Sequence, residues 1–395
     1  MSEQVKICMA TISRFHSFEA ALQLQKRDAL AAIYSGLARY FLRRYPVHPD
    51  ALRTFPWIQT PFEVLQRLRM LSTSQGMKMA WLAKKAIDHH ISRTMPHSHI
   101  YMALSGIGLK SGKAAQDRGI AHICVRSASH IASQNELLQE EYSMLGLPFI
   151  PTEQRMIDRE EEEYAQADIV LVPSSFARQS FVEKGIEPAR IRDIPFGVPL
   201  SSFKRTCDRD PEFCILYVGN LGVRKGIHYL LQAFKKADIP GATLRLIGNQ
   251  QPETKTLLER FPVDNVELLG PQFQPEVVNQ MSRASVLVLP SIEEGFGMVM
   301  SEALACGCPV ISSESTGGQD LYTDGVEGFI YKATDVDTLA KRFVQLHDDK
   351  TLLDSMSANA AKKAQDIGGW DSYGDKLIPL CVALAKERGH DVYGN

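Results

Sequence analysis

Two carboxylates, Glu294 and Glu302, stand eight residues apart in the stretch PSIEEGFGMVMSEALACGCPVI, and Gly295, Phe296 and Gly297 follow the first of them. Glycines at such a corner let the backbone turn tightly and come close to a ligand, and a helix starting behind them points unpaired N–H groups at the same place. The corner suits a phosphate. Glu294 in the turn can accept hydrogen bonds from sugar hydroxyls, and Glu302, two helical turns on, can face another part of the same ligand. Paired carboxylates also suit a glycosidase, in which acid and base flank the bond to be cut. Two that issue from one turn and one helix favour positioning over acid–base work. A second cluster lies upstream in GNLGVRKG, where Gly219 opens a turn and Arg224 and Lys225 stand at a helix entrance. Their charges and the helix dipole can together stabilise a diphosphate. Alone, such a basic pair reads as solvated; beside the carboxylate corner it reads as a phosphate site.

These residues must be held by strands and helices in alternation. Ser285 to Leu289 and Pro309 to Ser312 are short apolar runs of the kind buried on both faces of a parallel sheet, and Ile215–Val218, Thr243–Ile247, Val266–Leu269 and Gly328–Tyr331 repeat the pattern. Each run is followed by a turn or helix, which predicts a parallel sheet with right-handed crossovers. The front half has the same grammar: Val5–Ala10, Ile100–Leu104, Ala121–Val125 and Ile169–Val172 read as strands, and Val-Pro-Ser-Ser at 172–175 echoes Leu-Pro-Ser at 289–291. The echo predicts two Rossmann-like domains, residues 1–198 and 199–369, joined by the Pro- and Gly-bearing segment Arg190–Phe203. Ligands of open α/β sheets bind at the C-terminal ends of strands. Ser13, Arg14 and His16 in the first loop are therefore candidates for an acceptor or a phosphate, with an exposed loop histidine as the plain alternative. His130, in the turn after Ala121–Val125, could face the cleft or be a satisfied structural histidine; His122 lies inside the strand.

Several features are read as structural. SGIGLKSGKAA has neither the spacing of a P-loop nor that of a dinucleotide fingerprint and is taken as a loop opening a helix. The run DREEEEY reads as one exposed helix face, Tyr45 to Pro61 as an irregular connection, and WDSYGDKLIPLCVALAKER as a helix broken near Pro379. No Asp/His cluster has metal-ligand spacing, so no metal and no cofactor is expected. Seven cysteines without a CxxC pair indicate neither a disulfide framework nor a zinc site, and Cys306 and Cys308 read as buried thiols.

With 395 residues the chain has room for two or three domains, and 44% hydrophobic and 23% charged content is that of an ordinary globular protein. No apolar run is long enough for a bilayer span, and the N-terminus lacks the features of a secretion signal, so a cytoplasmic location is expected. The net charge of −2 hides a division: residues 1–130 hold 18 Lys and Arg against 7 Asp and Glu. That excess could meet an anionic membrane face, a pyrophosphate-linked acceptor or nucleic acid. In ARYFLRRYP and from LQRLRM to HHISR the basic residues mix with Leu, Met and Trp, as in a membrane-lying helix or in a helix packed on its own domain. A nucleic-acid binder would leave the glycine and carboxylate corner without purpose.

The stretch from Pro290 to Ile311 resembles the E-x7-E signature of the retaining, GT-B-fold glycosyltransferases of family 4 (glycosyl transferases group 1), and the resemblance extends from about Lys6 to Trp370. It implies two Rossmann-like domains facing across a cleft, with residues 370–395 forming a helix that crosses back to the first. It implies transfer of a sugar from a nucleotide diphosphate sugar to an acceptor hydroxyl, with a saccharide or lipid-linked acceptor in cell-surface glycan assembly and no metal. Glu294 would contact the donor sugar, Glu302 the ribose, His130 the sugar near its reacting carbon, and Arg224 and Lys225 the phosphates. Gly219, Gly295, Phe296 and Gly297 would line the donor, and the turn at Gly270 and Pro271 would pack the base. The family often carries Arg after the first glycine; Asn220 stands here, which leaves Arg224 for that role. A nucleotide-sugar epimerase, a phosphorylase and a non-catalytic glycan-binding subunit are the alternatives on the same plan.

Overall fold

The computed structural model describes residues 3–14, 16–68 and 70–394. Among the described residues fifteen strands run in chain order: β1 (Glu3–Gln4), β2 (Ile7–Thr11), β3 (Leu30–Ser35), β4 (Leu52–Thr54), β5 (Ile100–Leu104), β6 (Ala121–Val125), β7 (Ile169–Val172), β8 (Ile191–Asp193), β9 (Cys214–Val218), β10 (Thr243–Ile247), β11 (Val266–Gly270), β12 (Val286–Leu289), β13 (Val310–Ser313), β14 (Gly328–Tyr331) and β15 (Val392–Tyr393). They form two large parallel sheets, ordered β4-β3-β2-β5-β6-β7-β8 and β11-β10-β9-β12-β13-β14, and a small ribbon of β1 with β15. In each large sheet the order of strand addition reverses beside β2 or β9, leaving a crevice at the strand ends where ligands of such sheets bind. The apolar runs are buried as their composition requires: Ile215, Leu216, Val286, Leu287, Val310 and Ile311 have no exposed surface. This is the α/β, two-domain GT-B arrangement expected above.

The helix Trp370–Glu387 returns to the first domain and packs on the helix Ser17–Lys26. Lys26 Nζ meets Asp371 at 2.8 Å and Arg27 meets Asp375 at 2.5 Å. The helix is unbroken, contrary to the sequence reading; it runs through Pro379, which gives up one backbone hydrogen bond there.

Three more readings are corrected. The segment from Tyr45 to Pro61 contains β4 and the start of the helix Gln59–Arg67, and β8 occupies the front of the supposed linker. The run DREEEEY is not one solvated face. Arg159, Glu160 and Glu163 are buried, because this helix packs on the helices Leu109–Gln116 and Ile131–Met144, and Arg159 pairs with Asp88, and Glu160 with Arg126 at 2.7 Å and Lys84 at 3.2 Å. Glu163 accepts the N–H groups of Gly106 and Gly108 at 2.8 and 3.1 Å, so the glycines of SGIGLKSG serve close packing. A side chain at Gly112 would overlap the His122 ring.

Candidate active site

The carboxylate corner follows β12. Gly297 takes φ of 83°, where a side chain would be strained, and starts the helix Met298–Ala305. A Cβ at Gly295 would overlap the Ser127 carbonyl of the first domain, so the missing side chain is what lets the two domains meet here. The Gly295 carbonyl accepts a hydrogen bond from Ser174 Oγ at 2.5 Å. Glu294 is clamped to the Lys225 ammonium in a direct ion pair, both side chains being mostly buried. Burial, then the nearby Arg224 charge, pushes the Lys225 ammonium below its ordinary range, while Glu293 opposes the shift; the touching Glu294 carboxylate also favours the charged form. The two residues selected from separate motifs thus come together.

Glu302 lines a cleft of about 650 Å³ between the domains. Glu19, Arg44 and Tyr45 form its wall in the first domain, and Val218, Gln272 and Glu302 its wall in the second. Burial alone pushes the Glu302 carboxyl up to about 7. A carboxylate so poorly solvated gains strongly from hydroxyl donors. Gly270, with φ of 65°, and the exposed Pro271 lead into Gln272 at the edge of this cleft, and Gly219 stands at the end of β9 just after Val218. A larger cavity of about 1000 Å³ lies where β9 and β12 begin, beside Phe213 and Ser285, the wrong end of a parallel sheet for a ligand.

Arg224 does not stand free beside Lys225. Its Nε donates at 2.8 Å to Glu293, a residue that the sequence reading passed over. Glu293 has no exposed surface and also accepts from Ser129 N at 2.9 Å, Ser129 Oγ at 2.8 Å and Gln134 Nε2 at 2.7 Å, all in the first domain. Burial works against its charge, but Arg224 and these hydrogen bonds outweigh it and hold the carboxyl at about 2. In the sequence Glu293 is one member of a Glu-Glu doublet, and no local pattern sets it apart from Glu294. Asp320 makes a similar bridge, accepting from Ser175 N and Oγ at 2.9 Å.

His130 is placed differently from its expected role. Its ring is buried between Tyr164 and Phe181, with centroids 5.1 and 5.0 Å away, and its Nδ1 accepts the Ala132 N–H to cap its own helix, Ile131–Met144. Burial first, then the charges of Arg126 and Lys184, depresses it to about 4. The neighbours Ser127 to Ser129, not His130, are what this loop presents to the second domain. His16 is a second correction: its ring lies 4.0 Å from that of Phe196, and burial lowers it to about 4. Phe296 packs on the other side of the junction, 5.4 Å from Phe196 and 2% exposed, so it supports the corner by packing. Ser13 Oγ donates to Glu63 at 2.7 Å, and Arg14 is half-buried.

Residues 202–363 match the family model described as Glycosyl transferases group 1. The uncharacterized glycosyltransferase MJ1178 of Methanocaldococcus jannaschii is 33% identical over 148 residues, 36% of this chain, and the match spans 41% of that relative's length. A D-inositol 3-phosphate glycosyltransferase of Geodermatophilus obscurus is 27% identical over 359 residues, covering 83% of this chain and 74% of that protein. Among solved structures, Anabaena HepE in complex with UDP and glucose superposes with a TM-score of 0.67 at 16% identity, covering 96% of this chain and all of that one. Residues 202–363 therefore constitute a glycosyl transferases group 1 domain within a two-domain GT-B fold.

Proposed function

We propose that the protein is a retaining glycosyltransferase of family 4, transferring a sugar from a nucleotide diphosphate sugar to a saccharide hydroxyl in glycan assembly. The observation that carries this reading is a poorly solvated carboxyl at Glu302 on the cleft wall, on a helix that opens at the turn holding the buried Lys225–Glu294 pair. Glu302 accepts the ribose hydroxyls. The diphosphate takes Lys225 from Glu294, and the released Glu294 accepts hydrogen bonds from the sugar. As the bond to the diphosphate breaks, charge grows on the leaving phosphate, and a preset ammonium beside it lowers the barrier without a metal. Arg224, held by Glu293, adds its field at the same turn. The Gly295 contact with the Ser127 loop keeps water from the reacting carbon. The matching domain, the UDP-bound neighbour and a relative named for capsular polysaccharide biosynthesis in Staphylococcus aureus support the reading.

Thermal unfolding against UDP, GDP, ADP and their sugars, with and without magnesium, tests it. A ligand at 100 times its Kd adds roughly 2.7 kcal/mol. The expected result is a shift with one nucleotide, indifferent to magnesium and lost in Glu302→Ala. Absence of any shift would overturn the donor site, and an inverted anomeric configuration in the product would overturn the retaining mechanism.

A further inference from the structure

Two helices of the first domain, Gln59–Arg67 and Thr73–Thr94, form a hairpin that its own domain leaves largely uncovered. The first buries only Gln59, and the second buries nothing before Ala83. Phe62 against Gly76 is a contact between the two arms, 3.9 Å from a Cβ placed at Gly76. A nine-residue helix is marginal in water by itself, and its stability normally comes from a packed apolar face. Here apolar side chains on and beside the two helices are turned outward: Trp57, ahead of the first, is 76% exposed, Val64 within it 42%, Leu68 and Met70 after it 62% and 65%, and Leu82 on the second 54%. The connection is nevertheless specified, since Ser72 and Gln75 close a reciprocal capping box at the start of the second helix. The same surface is basic. Residues 57–85 hold five Lys and Arg, of which Lys84 is turned inward to Glu160, against a single acid, Glu63, which Ser13 and Gln59 engage. Arg67, Lys78 and Lys85 are exposed.

We propose that this hairpin docks the enzyme on an anionic bilayer, with Trp57, Leu68 and Met70 entering the headgroup region and Arg67 and Lys78 meeting the lipid phosphates. Exposed apolar side chains interleaved with unopposed positive charge fit that surface. A second copy of the chain would bring like charge against like. The hairpin is tied to the acceptor side of the site: Glu63 holds Ser13 in the loop after β2. Docking therefore sets that loop beside the lipid surface, and the acceptor hydroxyl belongs to a lipid-linked saccharide presented from the bilayer. This last step rests on the transferase reading; the docking itself does not.

The test is flotation of the full chain with vesicles of phosphatidylcholine alone and of phosphatidylcholine mixed with phosphatidylglycerol. The expected result is binding to the mixed vesicles only, weakening with salt, with a blue shift of tryptophan emission that Trp57→Phe removes. Arg67→Ala and Lys78→Ala should each lower the partition constant roughly fivefold, and Leu68→Ser with Met70→Ser should abolish flotation while the unfolding midpoint and nucleotide-induced shift stay unchanged. Failure to bind anionic vesicles at low salt overturns the proposal. So does flotation that survives Leu68→Ser with Met70→Ser, or a dimer in solution that this double variant splits. Flotation without any nucleotide response would retain the docking and overturn the transferase reading; the reverse would overturn the docking alone.

Discussion

Glu302 and Glu293 belong to one turn-helix segment and are driven in opposite directions by their surroundings. Glu302 is raised from 4.5 to about 7 by burial. Its folded form holds the proton more tightly, so its contribution to stability is full below 4.5 and is lost as pH rises through about 7. Glu302→Gln should therefore be more stable than the parent at pH 8, by on the order of 1 kcal/mol, and equal to it near pH 4, by chemical denaturation. The same variant should lose nucleotide-sugar binding. In the parent, affinity for the donor should rise with pH across 7, because hydroxyl donors favour the ionised carboxylate, and Glu302→Gln should show no such rise in calorimetric titrations. Glu293 is depressed from 4.5 to about 2. Its stabilising effect is present above 4.5 and lost as pH falls through 2. Glu293→Ala leaves Ser129 N and Gln134 without their acceptor and should cost about 3 kcal/mol, while Glu293→Gln should flatten the acid limb of the stability curve.

At the scale of elements, the corner after β12 works because backbone replaces side chain where the domains touch. Gly295→Ala would push its Cβ into the Ser127 carbonyl. The second domain can still fold, so the expected outcome is a larger radius of gyration by small-angle scattering and a fall in kcat, with nucleotide binding at Glu302 retained. Unchanged scattering would remove Gly295 from the interface. Gly226 serves the basic turn in the same way: with φ of 66° it brings its backbone against the Pro290 carbonyl, and Ile292 N donates to Arg224 O at 3.0 Å. The two motifs are thereby one rigid unit, and Gly226→Ala should cost about 2–3 kcal/mol in thermal unfolding.

For the whole molecule, the C-terminal helix decides how firmly the ends of the chain are tied. Its ion pair with Lys26 is solvent-facing and its pair with Arg27 is open to solvent only on the Asp375 side, whereas Leu377, Cys381 and Ala385 are fully buried. Exposed pairs contribute little, and a buried leucine contributes much. Asp371→Ala should cost under about 1 kcal/mol and Leu377→Ala about 3 kcal/mol, both by denaturant titration. The polar bridges across the cleft, Glu293 to Ser129, Asp320 to Ser175 and Tyr142 to Glu253 at 2.8 Å, hold the facing domains together on groups that can also hydrogen-bond water. An interface of that kind permits the two domains to open.

The sequence by itself determined the parallel strands of the two large sheets apart from β3, β4 and β8, the two-domain plan, the turns that carry Lys225 and Glu294 and the helix that carries Glu302. Continuous apolar runs of four or five residues bounded by turn residues favour buried strands, and glycines beside charged residues at strand ends mark close approach. Short edge strands such as Leu52–Thr54 and Ile191–Asp193 carry too little apolar pattern to be read. What only the tertiary structure decided is the partner of each polar group: that Glu293 rather than a free Arg224 closes the domain bridge, that Glu160 and Glu163 are buried, and that His130 caps its own helix beneath two aromatic rings. A polar side chain is buried or exposed according to whether a distant stretch of chain brings it a hydrogen-bonding or charged partner, and no local pattern encodes that meeting.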